Sequence, residues 1–232
     1  MDRRIFWLLL ALSFLFLCGF IPLPGQRTGQ IVGLLLFILA VVGWPIFVGP
    51  PLHEKNWRIL ADRLGLTFQP RHSQAKGTPT SVAGTYLDHQ IHLTTHHTRR
   101  HQTNIFELIL TVGVHNPSDY IFGCRKLGKI DMGVQRGLGR TGTGDADFDQ
   151  YFMVTNAHPE DFATNLMRTP GLGQQLSRIV KGNRPIFISL QNEQLIYREQ
   201  HGLFGGAEAD IDRLIVIIEA MLALAEAVEA QQ

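Results

Sequence analysis

Three aspartates stand at alternate positions in the stretch RTGTGDADFDQYFMV, near the middle of the chain. Asp145, Asp147 and Asp149 match the opening D-x-D-x-D of a calcium loop, in which alternate oxygens point at one ion. The later loop positions do not match, because Gln150 replaces the glycine and Asn156 replaces the bidentate glutamate. The three carboxylates are candidate metal ligands for a metal-dependent, hydrolase-like enzyme, and the alternative is a structural turn.

The structural alternative gives the unusual residues of this stretch a role in folding. Gly142 and Gly144 permit positive φ, which tight turns require. The aspartates accept hydrogen bonds from turn amides, while Phe148 and Phe152 enter the core. In this interpretation the stretch binds no ion.

The same stretch resembles an element that recurs in uncharacterised bacterial membrane-anchored proteins, which join one or two N-terminal spans to an α+β domain. The shared pattern is T-G-D-x-x-F-D-x-x-F, here Thr143, Gly144, Asp145, Phe148, Asp149 and Phe152. The resemblance extends over about residues 55–230 and includes Gly84, Tyr86 and the final apolar helix. It implies the architecture and carries no activity.

A second candidate site is the basic stretch HLTTHHTRRHQ, predicted to form a hairpin loop between two strands. Its candidate residues are His96, His97, Arg99, Arg100 and His101. Imidazoles ligate zinc, nickel and copper, but the two arginines inside the cluster disfavour a metal. The remaining interpretations are a basic patch that contacts lipid headgroups or a partner, and an ordinary solvated loop.

Common enzyme and nucleotide motifs are incomplete or missing. GCRKLGKI resembles a phosphate loop, but Ile130 replaces the Ser or Thr that holds magnesium, and no helix is predicted to follow. GLGRTG has the glycine spacing of a dinucleotide loop without its strand–turn–helix context. G-x-S-x-G, H-E-x-x-H and C-x-x-C do not occur. We therefore expect no cofactor and no nucleic-acid partner.

Two uncharged apolar segments, residues 5–23 and 31–48, predict a transmembrane hairpin, because each is long enough to cross a hydrocarbon core of ~30 Å. A cleaved signal peptide is the alternative for the first segment, but no small-x-small site follows it. Basic residues precede the first span and follow the second, which predicts an inner-membrane protein with both termini cytoplasmic. Residues 1–52 then form the membrane hairpin and residues 53–232 a cytoplasmic domain.

The cytoplasmic part is predicted to be α+β, with a mostly antiparallel sheet packed against helices. An amphipathic helix carries Trp57 and ends at Gly65, and short strands including QYFMVT continue to about residue 156. Pro159 is expected at the first position of a helix, and Asn192 and Glu193 at the turn of a hairpin. A long apolar helix follows, over about residues 207–230.

This last helix is apolar on more than one side. One face at i, i+3, i+4, i+7 spacing suits a sheet, while Val216, Ala220 and Leu224 form a further apolar surface. The hypothesis is that Val216, Ala220 and Leu224 face another subunit or a protein partner. The alternative is full burial inside the domain.

Charge divides the chain into two halves. Residues 53–140 carry 12 Lys and Arg against 6 Asp and Glu, whereas residues 141–232 carry 6 against 13. The basic half suits anionic headgroups, unless the two halves neutralise one another within the fold. Together these features predict a membrane-anchored, non-enzymatic interaction or accessory module, with a lipid bilayer and a protein partner or second copy as its contacts.

Overall fold

The computed structural model describes residues 49–70, 80–100, 103–128, 142–180, 182–201 and 210–231. The chain divides into two compact units, Met1–Lys55 and Asn56–Gln232, and the fold below is almost entirely that of the second. Both predicted membrane spans, 5–23 and 31–48, lie outside the described residues. Within the described ranges, no helix is both long enough and apolar enough to cross a membrane.

Eight strands form one antiparallel sheet, which confirms the predicted α+β class. The strands are β1 (Thr67–Gln69), β2 (Ser81–Tyr86), β3 (His89–Arg100), β4 (Thr103–Gly113), β5 (Ile121–Lys126), β6 (Phe152–His158), β7 (Ile186–Gln191) and β8 (Gln194–His201). Their spatial order is β1-β2-β3-β4-β8-β7-β5-β6. The β7–β8 hairpin therefore lies between β4 and β5, although β5 follows β4 along the chain.

Alternate residues of the strands point inward and form the core. In β7, Ile186 and Ile188 are buried whereas Phe187 between them is exposed, as the two-residue period of a strand requires. In β8, Leu195 and Tyr197 face inward in the same way. The hairpin turn predicted at Asn192 and Glu193 is confirmed, with Asn192 at a φ of 54°.

Five helices complete the described fold. They are α1 (Gly49–Leu64), α2 (Ala146–Tyr151), α3 (Phe162–Met167), α4 (Leu172–Arg178) and α5 (Ile211–Glu229). The predicted end of α1 is confirmed, because Gly65 follows it at a φ of 67°, which is favourable for glycine. The buried Trp57 and Leu60 of α1 join the same core as the strands.

Two local predictions are wrong in where the element begins. QYFMVT was expected to be a strand, and its last four residues do belong to β6, but Gln150 and Tyr151 end the helix α2 and β6 begins at Phe152. Pro159 was expected to open a helix, but α3 begins at Phe162, whose amide donates to the Pro159 carbonyl at 3.0 Å. A turn bonded through this carbonyl therefore separates β6 from α3.

Two of the three residues predicted to face a partner are buried within the chain in α5. Ala220 and Leu224 of α5 are 2% and 0% exposed within the chain itself, and Val216 is half-buried. Leu214 and Ile218, on the face assigned to the sheet, are buried as well. Since the chain's own residues cover both faces, Ala220 and Leu224 belong to the core.

The histidine–arginine stretch lies mostly in strand rather than in a loop. Four of the five candidate residues belong to the β3–β4 ladder. They are His96, His97, Arg99 and Arg100, paired with Glu107, Phe106, Asn104 and Thr103 of β4. The ladder continues to this point because β3 and β4 form one long antiparallel hairpin. The side chain of His96 is exposed, and His101 lies outside the described residues. The proposed headgroup or partner patch stays a hypothesis.

Candidate functional site

The aspartate stretch forms a hydrogen-bonded clasp around the start of α2. Asp145 is the N-cap residue of this helix and accepts from the Phe148 amide at 2.9 Å. Asp149 accepts from the amide and the hydroxyl of Thr143, both at 3.0 Å, and from the Gly144 amide at 3.1 Å. Phe148 is fully buried. The predicted hydrogen bonds from turn amides to these two carboxylates are therefore confirmed.

Two glycines leave the space that the Asp145 and Asp149 carboxylates occupy. A Cβ on Gly142 would overlap the Asp149 carboxylate, and one on Gly173 in α4 would overlap the Asp145 carboxylate. Gly144 has a φ of 91°, as predicted, but Gly142 is needed for this close approach rather than for positive φ. The buried rings of Phe148 and Phe152 stack at 5.3 Å beneath.

Two of the three candidate metal ligands already accept hydrogen bonds from the chain itself. Asp145 and Asp149 hold backbone amides, while Asp147 is exposed. In the part of the chain that the structure describes, no three His, Cys, Asp or Glu side chains form a group suited to a metal ion. Metal binding by Asp145, Asp147 and Asp149 stays a hypothesis, and substitution of single aspartates tests it.

Asp149→Ala is expected to lower the free energy of unfolding by about 2 to 3 kcal/mol, because it leaves donors of the buried Thr143 without their acceptor. Asp147→Ala is expected to change it by less than about 0.5 kcal/mol. Denaturant unfolding of the full chain, with calcium and with a chelator, measures both. A calcium-dependent stabilisation that Asp147→Ala and Asp149→Ala both abolish would restore the metal site.

A buried ion cluster forms around Glu199 of β8. Tyr197 and Glu199 are two residues apart on β8, so both side chains point inward, and both are 0% exposed. The Glu199 carboxylate accepts from Nη1 and Nη2 of Arg213 at 2.9 and 2.6 Å. It also accepts from Arg184 and from the Tyr197 hydroxyl, each at 2.7 Å. This buried carboxylate therefore receives four hydrogen bonds, two of them from one guanidinium.

These contacts determine the protonation of the cluster. Burial by itself raises the pKa of Glu199, but the hydrogen bonds from Arg213, Arg184 and Tyr197 outweigh it and hold the pKa below its ordinary value. Burial, followed by the charge of Glu199, raises the pKa of Tyr197 well above its ordinary value. Glu199 is therefore a carboxylate and Tyr197 a neutral donor near pH 7. Glu199 neutralises and orients the two arginines, and the Tyr197 hydroxyl donates to the same carboxylate.

Arg184 connects this cluster to a surface pocket. The pocket has a volume of about 750 Å³ and lies where β5 ends and β7 begins. Arg125 and Lys126 are the last residues of β5, and Arg184 lies two residues before the start of β7, so the β5–β7 pairing places all three basic residues at the pocket. Arg125 pairs with the exposed Phe187 and Lys126 with the buried Phe152, so these two side chains leave opposite faces of β5. Among the described residues that line the pocket, none is Asp or Glu.

The pocket is held in place by backbone contacts as well as by the sheet. The Lys126 amine donates to the Gly182 carbonyl, and the Leu127 amide donates to the Tyr151 carbonyl at 2.8 Å. Burial lowers the pKa of Lys126, and the charges of Arg213 and Arg184 act in the same direction, against that of Glu199. Arg125, Lys126 and Arg184 all line this pocket, and basic side chains of this kind suit an anionic group such as phosphate or carboxylate.

Arg125 and Lys126 lie in GCRKLGKI, which was set aside above as an incomplete phosphate loop, and Arg184 was not a sequence candidate. Arg125 and Lys126 precede Arg184 by about 60 positions, and no local pattern predicts that their strands pair. The ion cluster, by contrast, can be anticipated from charged residues at inward positions of the sequence pattern. Glu199 occupies an inward position of β8, two residues after Tyr197, and Arg213 lies on a buried face of α5. A charged residue at an apolar position of the period indicates a buried partner of opposite charge.

No family model, curated protein or solved structure matches this chain. The function proposed below therefore rests on the sequence and on the geometry of the site.

Proposed function

We propose that this chain is a membrane-anchored, non-enzymatic accessory module that binds an anionic group in the pocket formed by Arg125, Lys126 and Arg184. The observation that carries the proposal is that these three basic residues line one pocket, and that none of its described lining residues is Asp or Glu. The volume of about 750 Å³ falls in the range of small-molecule sites, about 300 to 1,000 Å³. Binding rather than reaction is proposed because Glu199, the carboxylate that Arg184 contacts, already accepts four hydrogen bonds.

The membrane part of the proposal comes from the sequence. The apolar segments 5–23 and 31–48 are uncharged, and basic residues flank them on the sides that would face the cytoplasm. The proposal therefore places the chain in the inner membrane as a multi-pass protein with both termini cytoplasmic. The pocket belongs to the unit Asn56–Gln232, which would act in the cytoplasm, either as a subunit of a larger membrane assembly or as a homo-oligomer.

Anion binding predicts ligand-dependent stability. Inorganic phosphate is expected to raise the thermal unfolding midpoint of the full chain in zwitterionic nanodiscs, relative to chloride at equal ionic strength. At ten times its dissociation constant, a ligand stabilises the native state by about 1.4 kcal/mol. The variant with Arg125→Gln and Lys126→Gln is expected to lose most of this shift, because it lacks two of the three cations.

Arg168→Gln is the matched control, since Arg168 is an exposed residue directly after α3 and does not line the pocket. It is expected to respond to phosphate as the wild type does. Equal phosphate responses from all three proteins, or no response from the wild type, would contradict anion binding at this pocket.

A further inference from the structure

The outer face of the sheet, which points away from the core, carries a row of apolar and basic side chains. Residues that pair directly across neighbouring strands point to the same face. Across β3, β4, β8, β7, β5 and β6 the register joins Thr94, Ile109, Arg198, Phe187, Arg125 and Met153. These positions alternate with buried ones such as Ile188 and Tyr197, so the row lies on the outer face. At about 4.8 Å per strand, it is about 24 Å long.

The middle of this row is open to solvent. Phe187 is 41% exposed, and it is one of only two large hydrophobic side chains that the described part of the chain leaves exposed. Arg198 beside it is exposed as well, so no described helix covers these two residues. An exposed aromatic ring forgoes the free energy of its burial. Its position between Arg198 and Arg125 therefore favours a role in binding.

Acidic side chains are nearly absent from the outer face. Within the described strands, Glu107 and Glu199 are the only acids, and Glu199 points into the core, where it accepts from Arg213. Exposed acids lie instead on the helices, at Asp62, Asp147, Asp212, Glu219 and Glu226. The outer face is therefore apolar and basic, whereas the exposed surfaces of the helices carry negative charge.

We infer that the outer face lies against an anionic lipid surface, a contact distinct from the pocket and one that rests on the membrane anchoring of the proposed function. Alternating apolar and basic side chains suit the headgroup boundary, where Phe187 enters the interface and Arg198 binds lipid phosphate. The cytoplasmic leaflet carries anionic lipids, which attract basic residues near its surface. A second copy of the chain is disfavoured, because two such faces would bring arginines against arginines.

The reactivity of a cysteine in the outer face tests this inference. Ser189→Cys introduces it with little change in size, and Ser189 lies between the buried Ile188 and Leu190, so it points outward. The full chain is placed in nanodiscs of phosphatidylcholine, with or without phosphatidylglycerol, and treated with a soluble maleimide. The wild type, whose Cys124 is buried, gives the background rate. We expect slower reaction in the anionic discs, and a smaller difference at high salt.

Gln174→Cys is the matched control, because Gln174 is exposed on the helix α4. The introduced cysteine is expected to react equally in both types of disc. Equal reaction of the Ser189→Cys variant in both would overturn the lipid contact and leave anchoring intact. Rates that are equally fast would show a face open to water, and rates that are equally slow a face covered by protein. A chain that does not copurify with the discs would overturn the anchoring itself.

Charge reversal separates attraction to the lipid from the pocket. Arg198→Glu changes the local charge by two units at a residue that does not line the pocket. At about fivefold for each unit, it is expected to weaken lipid contact about 25-fold. The Ser189→Cys variant should then react at nearly its rate in phosphatidylcholine. Arg168→Glu makes the same charge change at the exposed residue after α3 and is expected to leave the protection intact. Protection that survives Arg198→Glu would overturn the assignment of this face.

Discussion

Glu199→Gln is expected to lower the free energy of unfolding by about 3 to 5 kcal/mol, the usual cost of removing one partner from a buried ion pair. The change leaves Arg213, whose side chain is 7% exposed, without the carboxylate that accepts both of its Nη groups. It also removes the charged acceptor of Arg184 and of the Tyr197 hydroxyl. Chemical denaturation of the full chain, followed by circular dichroism, measures the loss.

The exposed ion pair of the same fold provides the matched control. Arg63 and Asp212 lie 3.4 Å apart, with side chains that are 53% and 92% exposed. Asp212→Asn makes the same chemical change, a carboxylate to an amide, and is expected to cost less than about 1 kcal/mol because water screens the pair. If both variants lose the same stability, the Glu199 cluster does not stabilise the fold in the way proposed here.

The effect of Glu199→Gln is also expected to depend on pH. A carboxyl whose pKa is lower in the folded than in the unfolded chain stabilises the fold fully above the unfolded value, here about 4.5. As the pH falls below 4.5 and through the lower folded value, Glu199 takes up a proton and this contribution is lost. The difference in stability between wild type and Glu199→Gln should therefore decrease below pH 4.5. A difference that is constant from pH 7 to pH 3 would contradict the low folded pKa.

Sequence patterns predicted those elements whose signals are local and long. The apolar run in α5 and the β7–β8 hairpin around Asn192 were identified because period and turn chemistry operate within one segment. The short helices α2 and α4 were missed. A helix of six or seven residues has too few hydrogen bonds to be stable alone, so its formation depends on tertiary contacts such as that of Gly173 with Asp145.

The candidate site could not be predicted from the sequence, because pairing between strands far apart in the chain creates it. Arg125 and Arg184 line one pocket only because β7 pairs with β5, and chain order does not reveal that the β7–β8 hairpin lies between β4 and β5. The aspartate stretch shows the opposite case. Its spacing resembles a calcium loop, yet Asp145 and Asp149 accept hydrogen bonds from their own segment, which a local interpretation anticipated.

The double variant Ala220→Glu and Leu224→Glu is expected to unfold the domain rather than to separate it from a partner. Both positions are buried in α5, at 2% and 0% exposed, so each glutamate would place a charge in the core without a partner. Replacing a buried leucine also costs about 2 to 5 kcal/mol in lost packing. The combined loss is comparable with the whole stability of a typical domain, about 5 to 15 kcal/mol.

Far-ultraviolet circular dichroism and thermal unfolding of the full chain measure this loss, and Ala230→Glu is the matched control. Ala230 is an exposed residue directly after α5, so the same replacement there leaves the charge in water. It is expected to change stability by less than about 1 kcal/mol, mainly through repulsion by the helix C-terminus. A double variant that stays folded with a wild-type unfolding transition and loses only self-association would show that Ala220 and Leu224 face another subunit. The core position of α5 would then be wrong, because a folded core does not accept two unpaired carboxylates.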